Sequence, residues 1–137
     1  MANAVVKMPD EFLKKLSTLG KKTDEIAGKV LTAGGEVVLS KVESNLKSVL
    51  SGESSGELIN SLGLTQVRQD KNGNSNIKIG FSEPRSDGKS NAMIANILEY
   101  GRSDQPARPF LQPAKKQSKN SCMETMINTL EKEIDKL

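Results

Sequence analysis

Few residues in this sequence are suited to catalysis, and the most informative observation is that histidine is absent. Histidine is the usual general base near neutral pH and the commonest metal ligand among the side chains. A catalytic carboxylate pair would need Glu57 together with Asp87 or Glu99. Nothing in the sequence brings these acids together, and each has an ordinary explanation as a helix cap or a surface charge. We therefore predict that the protein is not an enzyme and holds no cofactor or metal.

The single cysteine, Cys122, cannot form an intrachain disulfide, and no CxxC pair is present for zinc or redox chemistry. The N-terminus lacks the charged and apolar blocks of a signal peptide. No apolar run approaches the roughly 20 residues that a membrane-spanning helix needs. We therefore expect a reducing compartment and no contact with a membrane.

The basic residues are the remaining candidates for binding. The chain has 20 basic and 17 acidic side chains, and their interspersed order differs from the single-sign field of a dedicated nucleic-acid binder. Between Gly101 and Met123, however, five basic residues occur with one acid, Asp104. The five are Arg102, Arg108, Lys115, Lys116 and Lys119. They form either a solvated face, which we favour, or a contact for an acidic protein surface, or, less favoured, a contact for DNA phosphates.

Length and composition indicate one small domain that assembles with partners. A chain of 137 residues is near the commonest size for a single hydrophobic core, so we expect one domain over residues 1–137. Only 35% of the residues are hydrophobic and 3% aromatic, which is below the usual share in globular proteins. A core this lean favours a subunit that buries further surface in an oligomer.

The first 50 residues predict a strand and two helices. Residues 4–8 suit a short edge strand, and residues 9–20 carry the apolar stripe of a helix. Thr23 can cap a longer helix over residues 24–50, because apolar residues recur there every three or four positions. These residues are Ile26, Val30, Ala33, Val37, Val38, Val42, Leu46 and Val49.

Gly34 and Gly35 lie in the middle of this long helix, where each costs about 1 kcal/mol relative to Ala. The interpretation that we favour is a kink or a break of the helix. The alternative is a close crossing with a helix of another subunit.

The periodicity changes in the middle of the chain. Ser54 and Glu57 form a capping box, which predicts a short helix that runs to Leu62 and ends at Gly63. Residues 64–81 predict a β-hairpin, since apolar and other residues alternate in its second half. The Asn-Gly pair at positions 72–73 favours a type I′ turn between the two strands.

The last third predicts a loop over residues 82–90, a helix over 91–100, an extended Pro-bounded connector over 102–112 and a terminal helix over 113–137. Met93, Ile94, Ile97 and Leu98 share one face of the shorter helix. The stripe of the terminal helix comprises Met123, Met126, Ile127, Leu130, Ile134 and Leu137. Helices, a hairpin and further helices predict an α+β fold, with long helices packed on a small antiparallel sheet built around the hairpin and with a C-terminal helix.

The stretch from Ile94 to Ala114 resembles the signature of the neck and tail-completion (head–tail joining) family of siphophages and prophages. In that signature a helix ending in Glu-Tyr-Gly or Glu-Phe-Gly leads through a short loop into Ala-Arg-Pro-Phe-Leu and a final helix. The matching residues are Glu99, Tyr100, Gly101, Ala107, Arg108, Pro109, Phe110, Leu111, Pro113 and Ala114. The chain differs at Arg102, where members usually carry Thr, and at Gln112, where a basic residue is common.

The resemblance implies a structural virion protein that forms a homo-oligomeric ring at the head–tail junction or the tail end. It implies head-closure or connector proteins and a tail tube or tail terminator protein as partners. The location would be the virion, assembled in the host cytoplasm. Genomic DNA would pass through without sequence-specific binding. The alternative function is that of a small, basic, helical DNA-associated protein, which the lysine content suits equally well.

Seven residues around the signature are the candidate interface: Arg102, Arg108, Phe110, Leu111, Lys115, Lys116 and Lys119. Glu99, Tyr100, Gly101, Pro109 and Pro113 are expected to shape the segment, because a glycine cap and two prolines fix the path of a connector. Phe110 and Leu111 either complete the core of their own subunit, which we favour, or anchor in a neighbour.

Overall fold

A computed structural model of the chain describes residues 3–11, 23–50, 56–71, 74–83 and 87–136. In chain order its elements are β1 (Ala4–Lys7), α1 (Thr23–Leu50), α2 (Glu57–Ser61), β2 (Leu62–Leu64), β3 (Arg68–Gln69), β4 (Ser75–Phe81), α3 (Asn91–Tyr100) and α4 (Leu111–Asp135). The predicted α+β fold is confirmed, with two long helices and a small antiparallel sheet. No helix among these residues is long and apolar enough to cross a membrane.

The sheet is built around β4, as the alternating residues predict. β1 pairs with one edge of β4, and β2 and β3 pair with the other, all antiparallel. Leu64 lies opposite Ile79 whereas Arg68 lies opposite Asn76, so the strand opposite β4 contains one extra residue between these two pairs. The hairpin over residues 64–81 and the edge strand at the N-terminus are therefore confirmed. The predicted turn at positions 72–73 lies outside the described residues.

The helix α1 is continuous through Gly34 and Gly35, so the predicted break is wrong. A Cβ atom on Gly34 would lie 2.7 Å from Cγ of Met126 in α4, and one on Gly35 would lie 3.1 Å from a methyl carbon of Leu64 in β2. The two glycines therefore let α1 approach α4 on one side and the sheet on the other. A close helix crossing does occur at Gly34, but within one chain, whereas the alternative interpretation placed it against a helix of another subunit.

The helices α1 and α4 form the largest contact between elements and enclose the core with the inner face of the sheet. At the periphery, the Lys29 ammonium in α1 lies 3.4 Å from the Glu133 carboxylate in α4. Partial desolvation raises the pKa of Glu133, but the hydrogen bond from Lys29 and the charges of Lys136 and Lys29 outweigh it and lower that pKa below its usual value.

The predicted N-terminus of α2 is wrong. The N-cap is Gly56, at φ +82°, and no described side chain caps the helix there. The predicted cap residue, Ser54, lies outside the described residues. The helix ends at Ser61, so Leu62 and Gly63 belong to β2. The helix predicted over residues 9–20 also lies mostly outside the described residues, although positions 10 and 11 are helical.

Two predicted helix faces need correction. In α3 the buried residues are Asn91, Ala95, Leu98 and Glu99, whereas Met93 of the predicted face is 60% exposed. In α4 the buried residues are Leu111, Ala114, Ser118, Cys122, Met126 and Leu130. Of the predicted stripe, Ile127 is exposed and Leu137 is not described. Both predictions selected the largest apolar side chains, although smaller and polar side chains fill part of each interface.

Candidate functional site

The carboxylate of Glu99 fixes the start of α4, at a point where the chain has just left α3. Its Oε1 accepts hydrogen bonds from the backbone N–H groups of Phe110 at 3.0 Å and Leu111 at 2.7 Å. Its Oε2 accepts one from the N–H of Gln112 at 3.1 Å. Only 3% of the Glu99 surface is exposed. The charge is therefore buried against the positive end of a helix dipole, which stabilises it.

This arrangement accounts for every N–H group that a helix leaves unbonded at its start. The first four such groups have no partner within a helix. In α4 three of them donate to Glu99, and the fourth position is Pro113, which has no N–H. The helix thus begins at Leu111, two residues earlier than predicted, and Pro113 lies in its first turn rather than at its first position.

Gly101 turns the chain at the end of α3, as predicted. Its N–H donates to the carbonyl of Ile97 at 2.7 Å, and its φ of +76° is unfavourable for other residues. A Cβ atom there would lie 2.8 Å from the backbone nitrogen of Ala107. Gly101 is therefore required both by its own conformation and by the close return of the chain.

The connector between α3 and α4 is folded back rather than fully extended, which corrects the prediction for residues 102–112. Arg102 and Gln105 exchange backbone hydrogen bonds of 2.9 and 3.1 Å across a tight turn. The Arg102 guanidinium also lies 2.6 Å from the Asp104 carboxylate. The N–H of Arg108 then donates to the carbonyl of Leu98 at 2.7 Å. Backbone bonds thus hold both the beginning and the end of the connector.

Phe110 and Leu111 lie in the core of their own chain, the interpretation that the sequence favoured. Phe110 has no exposed surface, and its ring meets that of Phe81 edge to face, with centroids 6.2 Å apart. Leu111 is also buried. Neither residue presents surface to a neighbour in this conformation, so their place in the candidate interface is withdrawn.

Two side chains attach this segment to α1. The Arg108 guanidinium donates to the carbonyl of Val49 at 2.9 Å, in the last turn of α1, where the helix dipole favours a cation. Asn45 donates from Nδ2 to the Phe110 carbonyl and to Gln117 Oε1, each at 3.2 Å. We call the set formed by Glu99, Gly101, Arg108, Phe110 and Leu111 the Glu99 clamp. The sequence offered no signal for the contribution of Asn45.

The predicted cluster of five basic residues is divided between two grooves. Arg102 and Arg108 line a groove of about 680 Å³ beside α3, together with the exposed Met93. Tyr100, at the end of α3, is 57% exposed. Pro109 is exposed near the start of α4. Lys115, Lys116 and Lys119 lie on α4 and line a different groove.

This second groove, which we call the β1–α4 groove, runs between the edge strand and α4 and has a volume of about 340 Å³. Val38, Cys122, Met123 and Met126 supply an apolar floor. Lys7 joins Lys115, Lys116 and Lys119 at its rim. None of these four ammonium groups forms an ion pair with an acid among the described residues. Lys7 was not predicted to belong with these lysines, because more than a hundred residues separate it from α4.

Glu99 and Cys122 are buried side chains that could take part in chemistry. The carboxylate of Glu99 accepts hydrogen bonds from three backbone N–H groups, a role that the sequence did not predict. Burial raises the pKa of the Cys122 thiol, which disfavours the reactive thiolate. Within the described part of the chain, no three His, Cys, Asp or Glu side chains lie close enough together to hold a metal ion.

Comparison with known proteins gives one family. The family model described as "Bacteriophage HK97-gp10, putative tail-component" matches residues 10–101, more than half of the chain. The match includes α1, the sheet strands β2 to β4, and α3 with Glu99 and Gly101. Neither the curated proteins nor the solved structures gave a match. The chain thus belongs to the HK97-gp10-like family of bacteriophage tail components.

Proposed function

We propose that the protein is a structural subunit of a tailed phage or prophage virion, which forms a homo-oligomeric ring at the head–tail junction or the tail end. The observation that carries this proposal is the family match over residues 10–101, since it describes a tail component. The ring, its position in the neck and the self-association are inferred from the resemblance of residues 94–114 to tail-completion proteins.

The hydrogen-bonded connector and the exposed apolar side chains of α3 support an assembly role. The Glu99 clamp holds the path from α3 to α4 with backbone hydrogen bonds, so the surfaces on either side are presented in a defined geometry. Exposed apolar side chains, among them Met93 and Tyr100, lie on the outside of α3. An interface that buries them would gain apolar contact that one chain cannot provide.

We also propose that the protein acts without catalysis. The only buried acid among the described residues, Glu99, accepts three backbone hydrogen bonds, so it is committed to holding α4. Its partners would be further copies of itself, head-closure or connector proteins, and a tail tube or tail terminator protein. The protein would assemble in the host cytoplasm and reside in the virion.

Sedimentation velocity and negative-stain microscopy of the purified chain test the ring directly. We expect closed oligomers whose population rises with protein concentration, alone or after addition of purified tails. Met93→Asp combined with Tyr100→Asp should reduce the oligomer, because it places charge on the exposed apolar surface. The matched control is Asn120→Asp combined with Asn128→Asp, at exposed polar positions of α4.

The DNA-associated alternative makes a different prediction. A chain that stays monomeric with tails present, and that binds duplex DNA with a steep loss of affinity as salt rises, would contradict the ring proposal. The observation that favours this alternative is the set of four lysines in the β1–α4 groove, which form no ion pair with a described acid. Titration of labelled duplex at several salt concentrations distinguishes the two functions.

A further inference from the structure

The strand β1 lies at an edge of the sheet, where no other described strand pairs with its outer side. The hydrogen bonds of β4 identify which backbone groups of β1 lie on that side. The N–H of Thr65 donates to the carbonyl of Lys78 at 2.8 Å, and the N–H of Lys78 donates to Oγ1 of Thr65 at 3.0 Å. The backbone groups of Lys78 therefore face β2. Because these groups alternate sides along an antiparallel strand, those of Ile77 and Ile79 face β1.

The register then assigns the outer edge of β1. Val6 lies opposite Ile77 and Ala4 opposite Ile79, so Ala4 and Val6 use their backbone groups to bond β4. Val5 and Lys7 direct their N–H and C=O groups away from the sheet. No described strand pairs with them. Two donors and two acceptors are thus spaced as another antiparallel strand would require.

The β1–α4 groove lies along this edge. A strand added beside β1 would run over the apolar floor formed by Cys122, Met123 and Met126 of α4. Since side chains alternate along a strand, every second residue of the added strand would meet this floor. The lysines that line the groove are Lys7 on β1 and Lys115, Lys116 and Lys119 on α4.

The charge of the rim decides what kind of strand fits. Four ammonium groups without a described acidic partner would favour carboxylates on the incoming segment. A second copy that paired through its own β1 would place two lysine-lined grooves along one interface. Like charges placed in this way are destabilising, so symmetric self-pairing is disfavoured.

We propose that the β1–α4 groove binds an extended segment of a different protein, in which apolar residues alternate with acidic ones, as an added strand on β1. Val5 and Lys7 supply the backbone hydrogen bonds, α4 supplies the apolar floor, and the four lysines select the acidic sequence. This proposal deepens the proposed function, because it gives the chemistry of a partner. It rests on the proposed function only in taking that partner to be a virion protein.

The probe is a blocked octapeptide in which Val and Glu alternate, added to the purified full chain at low salt. We expect saturable binding with a Kd of about 1 mM or tighter. Hydrogen exchange at the Val5 and Lys7 amides should slow by about tenfold or more, while the already bonded amides of Ala4 and Val6 change less. NMR measures both quantities on the same sample.

Two variants separate the backbone from the charges. Val5→Pro removes an outward N–H and no bond to β4, so it should abolish binding and leave the fold intact. Lys115→Glu combined with Lys119→Glu should weaken binding by about tenfold or more at low salt. The control, Lys71→Glu combined with Lys132→Glu, makes the same charge change at exposed positions away from the groove and should bind like the wild type.

Several results would overturn the proposal. The first is hydrogen exchange at the Val5 and Lys7 amides that does not slow at saturating peptide. The second is equally tight binding of an octapeptide in which Val and Lys alternate, and the third is unchanged peptide binding by a folded Val5→Pro variant. Loss of duplex-DNA binding in the Lys115 and Lys119 double variant, without any peptide binding by the wild type, would assign the lysines to DNA. Because the peptide test uses the free chain, its failure leaves the ring proposal to be decided by sedimentation.

Discussion

The Glu99 clamp and the β1–α4 groove both involve α4, but they differ in whether their polar groups have partners within the described chain. In the clamp, Glu99 binds the three N–H groups at the helix start, and Arg108 binds a carbonyl of α1. In the groove, four lysines and the outer backbone groups of β1 have no partner among the described residues. The polar groups of the clamp are thus bonded within the chain, whereas those of the groove lack a described partner.

This difference separates residues that shape the subunit from residues that are available to partners. Phe110 and Leu111 of the signature motif lie inside the clamp and act on stability. The lysines a few positions later lie on the same helix but outside the clamp. We therefore expect substitutions in the clamp to lower the free energy of unfolding, and substitutions in the groove to change binding while stability is kept.

The largest expected effect is that of Phe110→Ala, which should destabilise the chain by about 3 to 5 kcal/mol because it removes a fully buried ring. Urea unfolding followed by circular dichroism measures the change. Tyr100→Ala removes an exposed ring in the same segment and should have little effect. Unchanged stability with lost assembly would instead make Phe110 an anchor in a neighbouring subunit.

Glu99→Gln should have the next largest effect and lower the free energy of unfolding by about 2 to 3 kcal/mol. The substitution removes a buried charge from the helix start and turns an amide donor toward a backbone N–H that now lacks an acceptor. Glu124→Gln, at an exposed position on α4, should leave the unfolding free energy nearly unchanged. If the two variants unfold alike, the carboxylate does not hold the helix start.

Gly101→Ala should cost about 1 to 3 kcal/mol, since Ala is strained at a positive φ and its Cβ would meet the backbone of Ala107. Gly28→Ala is a control with the opposite sign. Apart from the adjacent backbone of α1, a methyl group at this position would have no described atom within 4 Å, and Ala is the better helix former by about 1 kcal/mol. Thermal melts should move down for the first variant and up for the second.

The smallest effect on stability is expected in the groove. Lys115→Glu and Lys119→Glu should each change the unfolding free energy by no more than about 0.5 kcal/mol, because both side chains are exposed and unpaired within the described chain. The same urea titrations apply. A loss comparable to that of Glu99→Gln would remove the distinction between the two regions.

Periodicity along the chain was sufficient to predict the helices, the hairpin and the edge strand that the structure describes. Periodicity failed where the continuity of a helix or the burial of a side chain depends on the residues that pack against that helix. Gly34 and Gly35 looked like a break because their cost in an isolated helix is visible in the sequence, whereas the closeness of Met126 and Leu64 is not. The exposed Met93 was misplaced for the same reason, since Ala95 and not Met93 faces the core.

The residues of the Glu99 clamp belong to the motif that the sequence singled out, but their contacts were not predicted. The Glu-Tyr-Gly and Pro-Phe-Leu elements mark the segment that contains the clamp, yet nothing in the sequence pairs Glu99 with N–H groups eleven or more residues later. The predicted basic cluster grouped residues by their closeness in sequence, not in space. Folding moved Arg102 and Arg108 to one groove and brought Lys7 to the other.

The central claim, that this chain is a structural part of the head–tail joint or tail end, is tested most directly in the phage that encodes it. Its gene would be deleted, and particles would be imaged by electron microscopy with and without wild-type protein supplied in trans. We expect the deletion to give filled heads and tails that do not join or tails with abnormal ends. Joined, infectious particles should return with the wild-type chain, and labelled protein should lie at that position. Infectious particles of normal appearance that form without the protein would contradict the account.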